Sequence, residues 1–329
     1  MKIQILSGGL ANQIRHYIFV RYAERQHPGE TWFFDDSYFF ARQVHNGYEL
    51  EKVFGLKLNL LSGYYEKDVW DKIVQNRMKG IILPQTLSDM GMPIVMFEGR
   101  LHIAQEPFSG KIIIPDAPHL GFHPEYIDLP YENIYYHAEW ASKKWFSAYE
   151  EENLSELVFP PLSDAKNLEY ARLIDESYSV GIHVRRGAFL YDQIGGIIPN
   201  EMYLNACKDV LASHPNAHFF IFSDELDWCR AHEKELGFDL PAHTTYVEGN
   251  TEPNNYIDMQ LLSMCRGIIR NAESSFSQVA GWLGRNLEFD IKLKGFSSEA
   301  ALQRTPKART SANGERELGR DDQYIFLKF

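Results

Sequence analysis

Positive charge is in short supply in this chain: 33 Lys and Arg stand against 45 Asp and Glu in 329 residues, a formal net charge of −12. A general nucleic-acid surface is thereby excluded, since phosphate-backbone binding needs clustered basic residues. Any anionic ligand must be held by local groups. Cysteine is scarcer still. Cys207, Cys229 and Cys265 are odd in number and far apart, which suggests neither a disulfide framework nor a metal-ligand pair and fits a reducing cytosol. No apolar run approaches the length of a membrane span, and Met1-Lys2 leads straight into a strand pattern without a signal-peptide core, so a cytoplasmic location is expected. Several motifs are also missing. There is no G-x-G-x-x-G, His232-Glu233 has no second His four residues on, and no aliphatic-flanked D-x-D is present to carry a divalent ion. Asp35-Asp36 and Asp224-Glu225 come nearest to the last, and both read better as solvated or capping carboxylates. No metal is expected.

What is present suits a structured enzyme. With 44% hydrophobic and 14% aromatic residues the chain can bury the cores of two α/β domains. Residues 1–157 read as an irregular first domain: a strand at 1–6, a Gly-rich turn, a helix from Ile14 to Arg25, a strand at 31–34, then aromatic-rich loops. Pro160-Pro161 is the natural linker. Residues 158–300 alternate regularly: strand 178–184, helix from Glu201, strand 218–222, helix from Glu225, strand near 244–247, helix 255–265, strand 267–270 and helix 276–284. Short apolar strands alternating with helices imply a parallel sheet. Residues 301–329 form a polar tail, expected to be partly mobile between Thr305 and Asp322, with Tyr324-Ile325-Phe326-Leu327 able to dock back onto the body. A peripheral membrane or partner contact by that end stays open.

Three segments carry chemistry. Ser179 to Val184 is a β-branched strand that ends in Arg185-Arg186-Gly187, and a guanidinium at the open end of an α/β strand presents a planar fork matched to phosphate oxygens. A surface pair making weak salt bridges is the plainer alternative. Ser7-Gly8-Gly9-Leu10-Ala11-Asn12-Gln13 gives a sharp turn after the first strand, where the backbone can approach a ligand closely. Ser274-Ser275-Phe276-Ser277-Gln278 opens a late helix, where serines either cap the helix or, with free N–H groups and the positive end of the dipole, seat a phosphate.

In this order S-G-G-L-x-N-Q, H-V-R-R-G and D-M-x-L-x-S-x-C…S-S-F-S-x-x-A-x-W-L resemble the bacterial α1,2-fucosyltransferases, glycosyltransferase family 11. Trp140 to Phe146 is similar to that family's short aromatic helix, and Phe219-Ile221-Phe222-Ser223-Asp224-Glu225 with Trp228 to its F-I-F-S-D-D…W block. The resemblance implies a GT-B architecture, two Rossmann-like domains facing a cleft with the donor in the C-terminal one. It also implies an inverting transfer of L-fucose from GDP-β-L-fucose to a galactose-containing oligosaccharide, with no cofactor. Arg185 would meet the charge on the departing phosphate, Arg186 would bind phosphate or orient the loop, and Ser275, Phe276, Ser277 and Gln278 would complete the donor seat. Asp258 is a candidate for guanine, because one carboxylate can accept from both N1–H and the exocyclic amine. His183 would pack against donor or loop. Gly8, Gly9 and Asn12 would face the substrate from the other domain. Where the family has aspartate after H-x-R-R-G, this chain has Ala188, so the general base stays open among Asp35, Asp36, His16 and Asp192. A GT-B transferase with another donor or acceptor, and a nucleotide-sugar or glycan-binding protein with weakened catalysis, are the alternatives.

Overall fold

The computed structural model describes residues 1–42, 45–99, 108–115, 121–187 and 196–295, with short strands at 309–310, 316–317 and 324–327. Ala188, Asp192 and almost all of the tail lie outside the described residues. The chain divides into two compact units, Met1–Val158 with Thr305–Phe329, and Phe159–Arg304.

The first unit is more regular than its sequence pattern suggests. Strands β1 (Lys2–Ile5), β2 (Trp32–Asp35), β3 (Val95–Gly99), β4 (Ile112–Pro115) and β5 (Ile134–Ala138) join the strand Tyr324–Leu327 in one sheet. Its order is the Tyr324–Leu327 strand, then β4-β3-β5-β1-β2, and every pairing is parallel. One face of the sheet packs Ile3, Ile5, Met96, Ile112, Ile114 and Tyr135 against Trp70, Ile73, Leu83 and Leu87. On the other, Phe19 of the helix Leu10–Gln26 meets Trp32, Tyr136, Trp140 and Trp145, lying stacked on Trp140 with ring centroids 3.6 Å apart. Burial on both faces removes the polar alternation that marks a half-exposed strand, which is why β3, β4 and β5 escape a periodicity reading. The one polar residue of β1's interior, Gln4, is fully buried and satisfied: Trp140 Nε1 donates to its Oε1 at 2.9 Å, and its Nε2 donates to the Ala138 carbonyl at 3.3 Å.

The second unit carries β6 (Tyr178–Val184), β7 (Ala217–Ser223), β8 (His243–Tyr246), β9 (Gly267–Asn271) and β10 (Phe289–Leu293), all parallel, in the order β8-β7-β6-β9-β10. Val180, Ile182 and Val184 pack on Tyr203, Val210 and Leu236. The opposite face is covered by the helix Tyr256–Met264, whose approach requires a residue without a side chain in β6: a Cβ on Gly181 would sit 2.4 Å from Leu262 Cδ1. The chain starts in the middle at β6, runs outward to β8 and crosses back to β9. At such a reversal the loops after neighbouring strands diverge and leave a crevice beyond the carboxyl ends. In the first unit the same reversal falls between β1 and β5.

Candidate active site

At the second unit's reversal, the turn after β6 is built by Asp224, which follows β7. Its carboxylate accepts the backbone N–H groups of Arg186 and Gly187, both at 3.0 Å, and pairs with Arg185 Nη1 at 2.8 Å. Of the two roles expected for Asp224, a solvated or a capping carboxylate, its contacts fit the second, with the turn after β6 as the segment it caps. Arg186 is anchored on its flanks: Nε meets Glu225 Oε2 at 3.2 Å, and the guanidinium lies 3.4 Å over the Trp228 ring. Orienting the turn is therefore the role its contacts support. Arg185 keeps a third of its side-chain surface exposed.

Beside it, the helix Ser275–Leu283 begins after β9 with no side-chain cap on its first turn. The Ser277 hydroxyl is fully buried and has no hydrogen-bond partner. Uncapped N–H groups and a positive dipole end thus follow the strand that neighbours β6, the strand before Arg185. His183, buried at the end of β6, stacks on Phe276 at 5.3 Å and ties the two strand ends together. Burial, with Arg185 adding to it, pushes His183 down to about 4, so it stays neutral. Asp258 sits in the first turn of the helix Tyr256–Met264 and accepts from Asn250 Nδ2 at 2.7 Å. Asn250 in turn exchanges amide bonds with Asn167, which Asp164 holds at a helix start. Burial pushes the Asp258 carboxyl up to about 7.

The first unit has its own cavity, about 280 Å³, beyond β1 and β5. Ser7, Gly8, Asn12, His16, Arg42 and Arg77 line it, with His137, Ala138 and Glu139 from β5 and the residue after it. Gly8 takes the left-handed conformation, φ 71°, and a Cβ there would meet Asn12 Nδ2 at 2.6 Å. Gln13 fixes the turn by donating Nε2 to the Gly8 carbonyl at 3.0 Å and to the Gly47 carbonyl at 2.8 Å. His16 is buried with neither ring nitrogen partnered, and desolvation, then Arg15, pushes it down to about 3. Gly9 precedes the first helix, and a Cβ added there would lie in ordinary contact with the His45 ring, at 3.6 Å.

Asp35 and Asp36 lie elsewhere. Both are buried and neither lines the cavity. Asp35 accepts from Ser37 N at 3.0 Å and from the Tyr135 hydroxyl at 2.8 Å; Asp36 accepts from Ser62 N at 3.1 Å, and burial raises its carboxyl to about 6. Arg42, Arg77 and Glu139 line the cavity without being among the residues singled out from the sequence. Glu139 had a signal, since it follows the apolar run I-Y-Y-H-A directly, but that run was not read as a strand. Among the described residues no cluster of three His, Cys, Asp or Glu side chains could hold a metal ion, and no helix is long and apolar enough to cross a membrane.

The family model described as Glycosyl transferase family 11 matches residues 121–306, more than half of the chain. An alpha-1,2-colitosyltransferase of Escherichia coli is 30% identical over 161 residues, covering 47% of this chain and 52% of that protein, so the match spans about half the relative's length. Among solved structures, the fucosyltransferase NodZ from Bradyrhizobium is 13% identical, with a TM-score of 0.42, covering 85% of this chain and 92% of that one. A point mutant of Arabidopsis thaliana FUT1 in complex with GDP is 13% identical, with a TM-score of 0.46, over 95% of this chain and 72% of that one. Each of the two units is a Rossmann-like parallel sheet with helices packed on it.

Proposed function

The chain belongs to glycosyl transferase family 11, and from that membership we propose that it moves an L-fucosyl group from GDP-β-L-fucose to a galactose hydroxyl, giving an α1,2 linkage with inversion. The observation that carries the donor half is that Arg185 and the uncapped start of the helix Ser275–Leu283 follow neighbouring strands at one strand-order reversal. In an inverting transfer the sugar acquires oxocarbenium character while negative charge grows on the departing β-phosphate, as in glycoside hydrolysis. Fixed donors aimed at that charge stabilise it without reorganising. The guanidinium fork of Arg185, the first-turn N–H groups and the Ser277 hydroxyl are such donors. They can do the work of a metal ion, so transfer is expected to persist undiminished in EDTA; a strict requirement for Mg²⁺ or Mn²⁺ in the chemical step would contradict this.

Asp258 is the proposed reader of guanine. Its ionised carboxylate accepts from N1–H and the exocyclic amine together, whereas adenine offers no such pair of donors. Asp258→Ala should weaken GDP by about 10–100-fold, the worth of one or two hydrogen bonds to a charged group, with melting unchanged; equal GDP affinity in calorimetry would remove the assignment. The raised carboxyl adds a pH dependence. Binding needs the deprotonated form, so GDP affinity should be low below about pH 7 and rise through it, and Asp258→Asn should flatten that rise.

A second donor has a specific observation behind it, the colitosyltransferase name of the E. coli relative. Colitose is 3-deoxy-L-fucose, so the two donors differ by one hydroxyl. Transfer rates with GDP-fucose and GDP-colitose side by side decide between them. We place the reaction in the cytoplasm, a setting in keeping with three unpaired, buried cysteines.

A further inference from the structure

The cavity of the first unit is lined by buried polar groups that no other described residue satisfies. We propose that it seats one sugar ring bearing an anionic group, a carboxylate or a phosphate, as an acidic residue of the acceptor glycan; the choice of a sugar rests on the transferase reading above. At about 280 Å³ the cavity lies just below the range of about 300–1,000 Å³ that holds drug-sized ligands, which suits a single ring. Its wall offers partners for hydroxyls. His16 is 1% exposed with neither ring nitrogen partnered, so its neutral imidazole presents one donor and one acceptor. Burial, then Arg15, holds it neutral by pushing it down to about 3. Asn12 Oδ1 is a second buried acceptor without a partner. A sugar hydroxyl both gives and takes a hydrogen bond, whereas an apolar guest would leave these groups unpaired.

The charge of the lining selects an anion. Two arginines, Arg42 and Arg77, stand in it against one acid, Glu139, and Glu139 has a cation outside the lining, Arg15 Nη1, at 3.9 Å. In a chain of net charge −12 this is a local exception of the kind an anionic ligand needs. Arg42 directly follows the helix Ser37–Ala41, and Arg77 lies in the last turn of the helix Lys67–Met78. Phe40 meets Trp70 edge-on at 5.3 Å and the Arg77 guanidinium lies 5.9 Å from the Tyr38 ring centre, contacts that hold the two helices together and bring both arginines to one cavity. A guanidinium fork matches carboxylate and phosphate oxygens alike. Ser7, Gly8 and Asn12 border the same space at the start of the helix Leu10–Gln26, which has no side-chain cap and no acidic residue in its first turn. Its positive dipole end adds to the preference.

The wall is fixed before a ligand arrives. On one side Gln13 pins the left-handed turn at Gly8. On the other, Trp140 adopts φ 39° directly after Glu139, and a non-glycine residue enters the left-handed region only where its surroundings over-determine it. Its stack on Phe19 and its bond to Gln4 do so, which sets the path of Ala138 and Glu139. A preformed wall leaves little ordering cost for binding.

The test is an NMR titration of the full chain, labelled in its histidine rings, with galactose, galacturonate and galactose 6-phosphate. At least one of the acids should bind about 10–100-fold tighter than galactose, the worth of one or two charge-assisted hydrogen bonds, and should move the His16 signals. The tighter of the two names the anionic group. Arg42→Gln, at an exposed position, should weaken that acid by about 10-fold or more and leave galactose affinity and the melting temperature unchanged. Equal binding of the three sugars, binding that leaves the His16 signals in place, or an acid affinity untouched by Arg42→Gln would overturn the proposal. Transfer to lactose-type acceptors, measured alongside, keeps the two readings apart: a chain that transfers but binds the three sugars alike loses this site alone, and one that binds the acid but transfers from no GDP-sugar loses the transferase reading.

Discussion

Arg185→Lys should lower kcat by about 10²–10³, the usual cost of removing one preorganised donor to a developing oxyanion, although the charge is retained. The reason lies in how the turn is built. Asp224 already accepts Arg186 N, Gly187 N and Arg185 Nη1. A guanidinium has five N–H donors, so one edge can hold Asp224 while the rest meet phosphate. An ammonium is a point charge, which Asp224 would draw to itself. Calorimetry with GDP should show a smaller loss than kcat does, because the charge on the β-phosphate is greatest as the bond breaks. A lysine variant with near-normal turnover would leave Arg185 as a strut for the turn, the role Arg186 fills through Glu225 and Trp228.

Trp140→Ala should destabilise the protein by about 3–5 kcal/mol, the range for deleting a large buried aromatic, readable as a shift of the denaturant midpoint. Trp140 is 2% exposed, stacks on Phe19 and donates to Gln4, so its loss leaves a cavity and an unsatisfied buried amide at once. Trp140→Phe keeps the stack and loses the hydrogen bond, and should cost about 1–3 kcal/mol, the penalty of the orphaned acceptor. A Trp140→Ala variant as stable as the wild type would show that the left-handed turn after Glu139 is not held by these contacts.

The second unit was largely legible in the sequence. The reading of 178–184 coincides with Tyr178–Val184, and the elements read from there to helix 276–284 agree to within a residue or two at the ends given, because short apolar strands alternate there with amphipathic helices; the short helix Glu233–Leu236 and β10 have no counterpart in that reading. The first unit was legible only in part: β1, the first helix, β2 and the docking of Tyr324–Leu327 onto the body agree with the sequence reading, whereas β4, I-I-I-P, and β3, V-M-F-E-G, are each only a few residues long and buried on both faces, so neither shows a period of two. R-R-G and S-S-F-S could be placed in the fold because they stand at strand and helix ends that the pattern itself reveals. The first unit's cavity depends on β5, and without that strand Glu139 looks like any surface acid, while Asp35 and Asp36, conspicuous as a pair, prove to be buried and engaged by neighbouring donors.

The measurement that bears most directly on the account is a donor panel: the purified chain with GDP-β-L-fucose, GDP-colitose, GDP-mannose and UDP-galactose, a lactose-type acceptor and EDTA, with products resolved by mass and anomeric configuration by NMR. The account predicts an α-linked 6-deoxy sugar on the 2-hydroxyl of galactose from a GDP donor and nothing from the UDP sugar. Transfer from UDP-galactose in preference to both GDP-6-deoxy sugars, or a β-linked product, would contradict it.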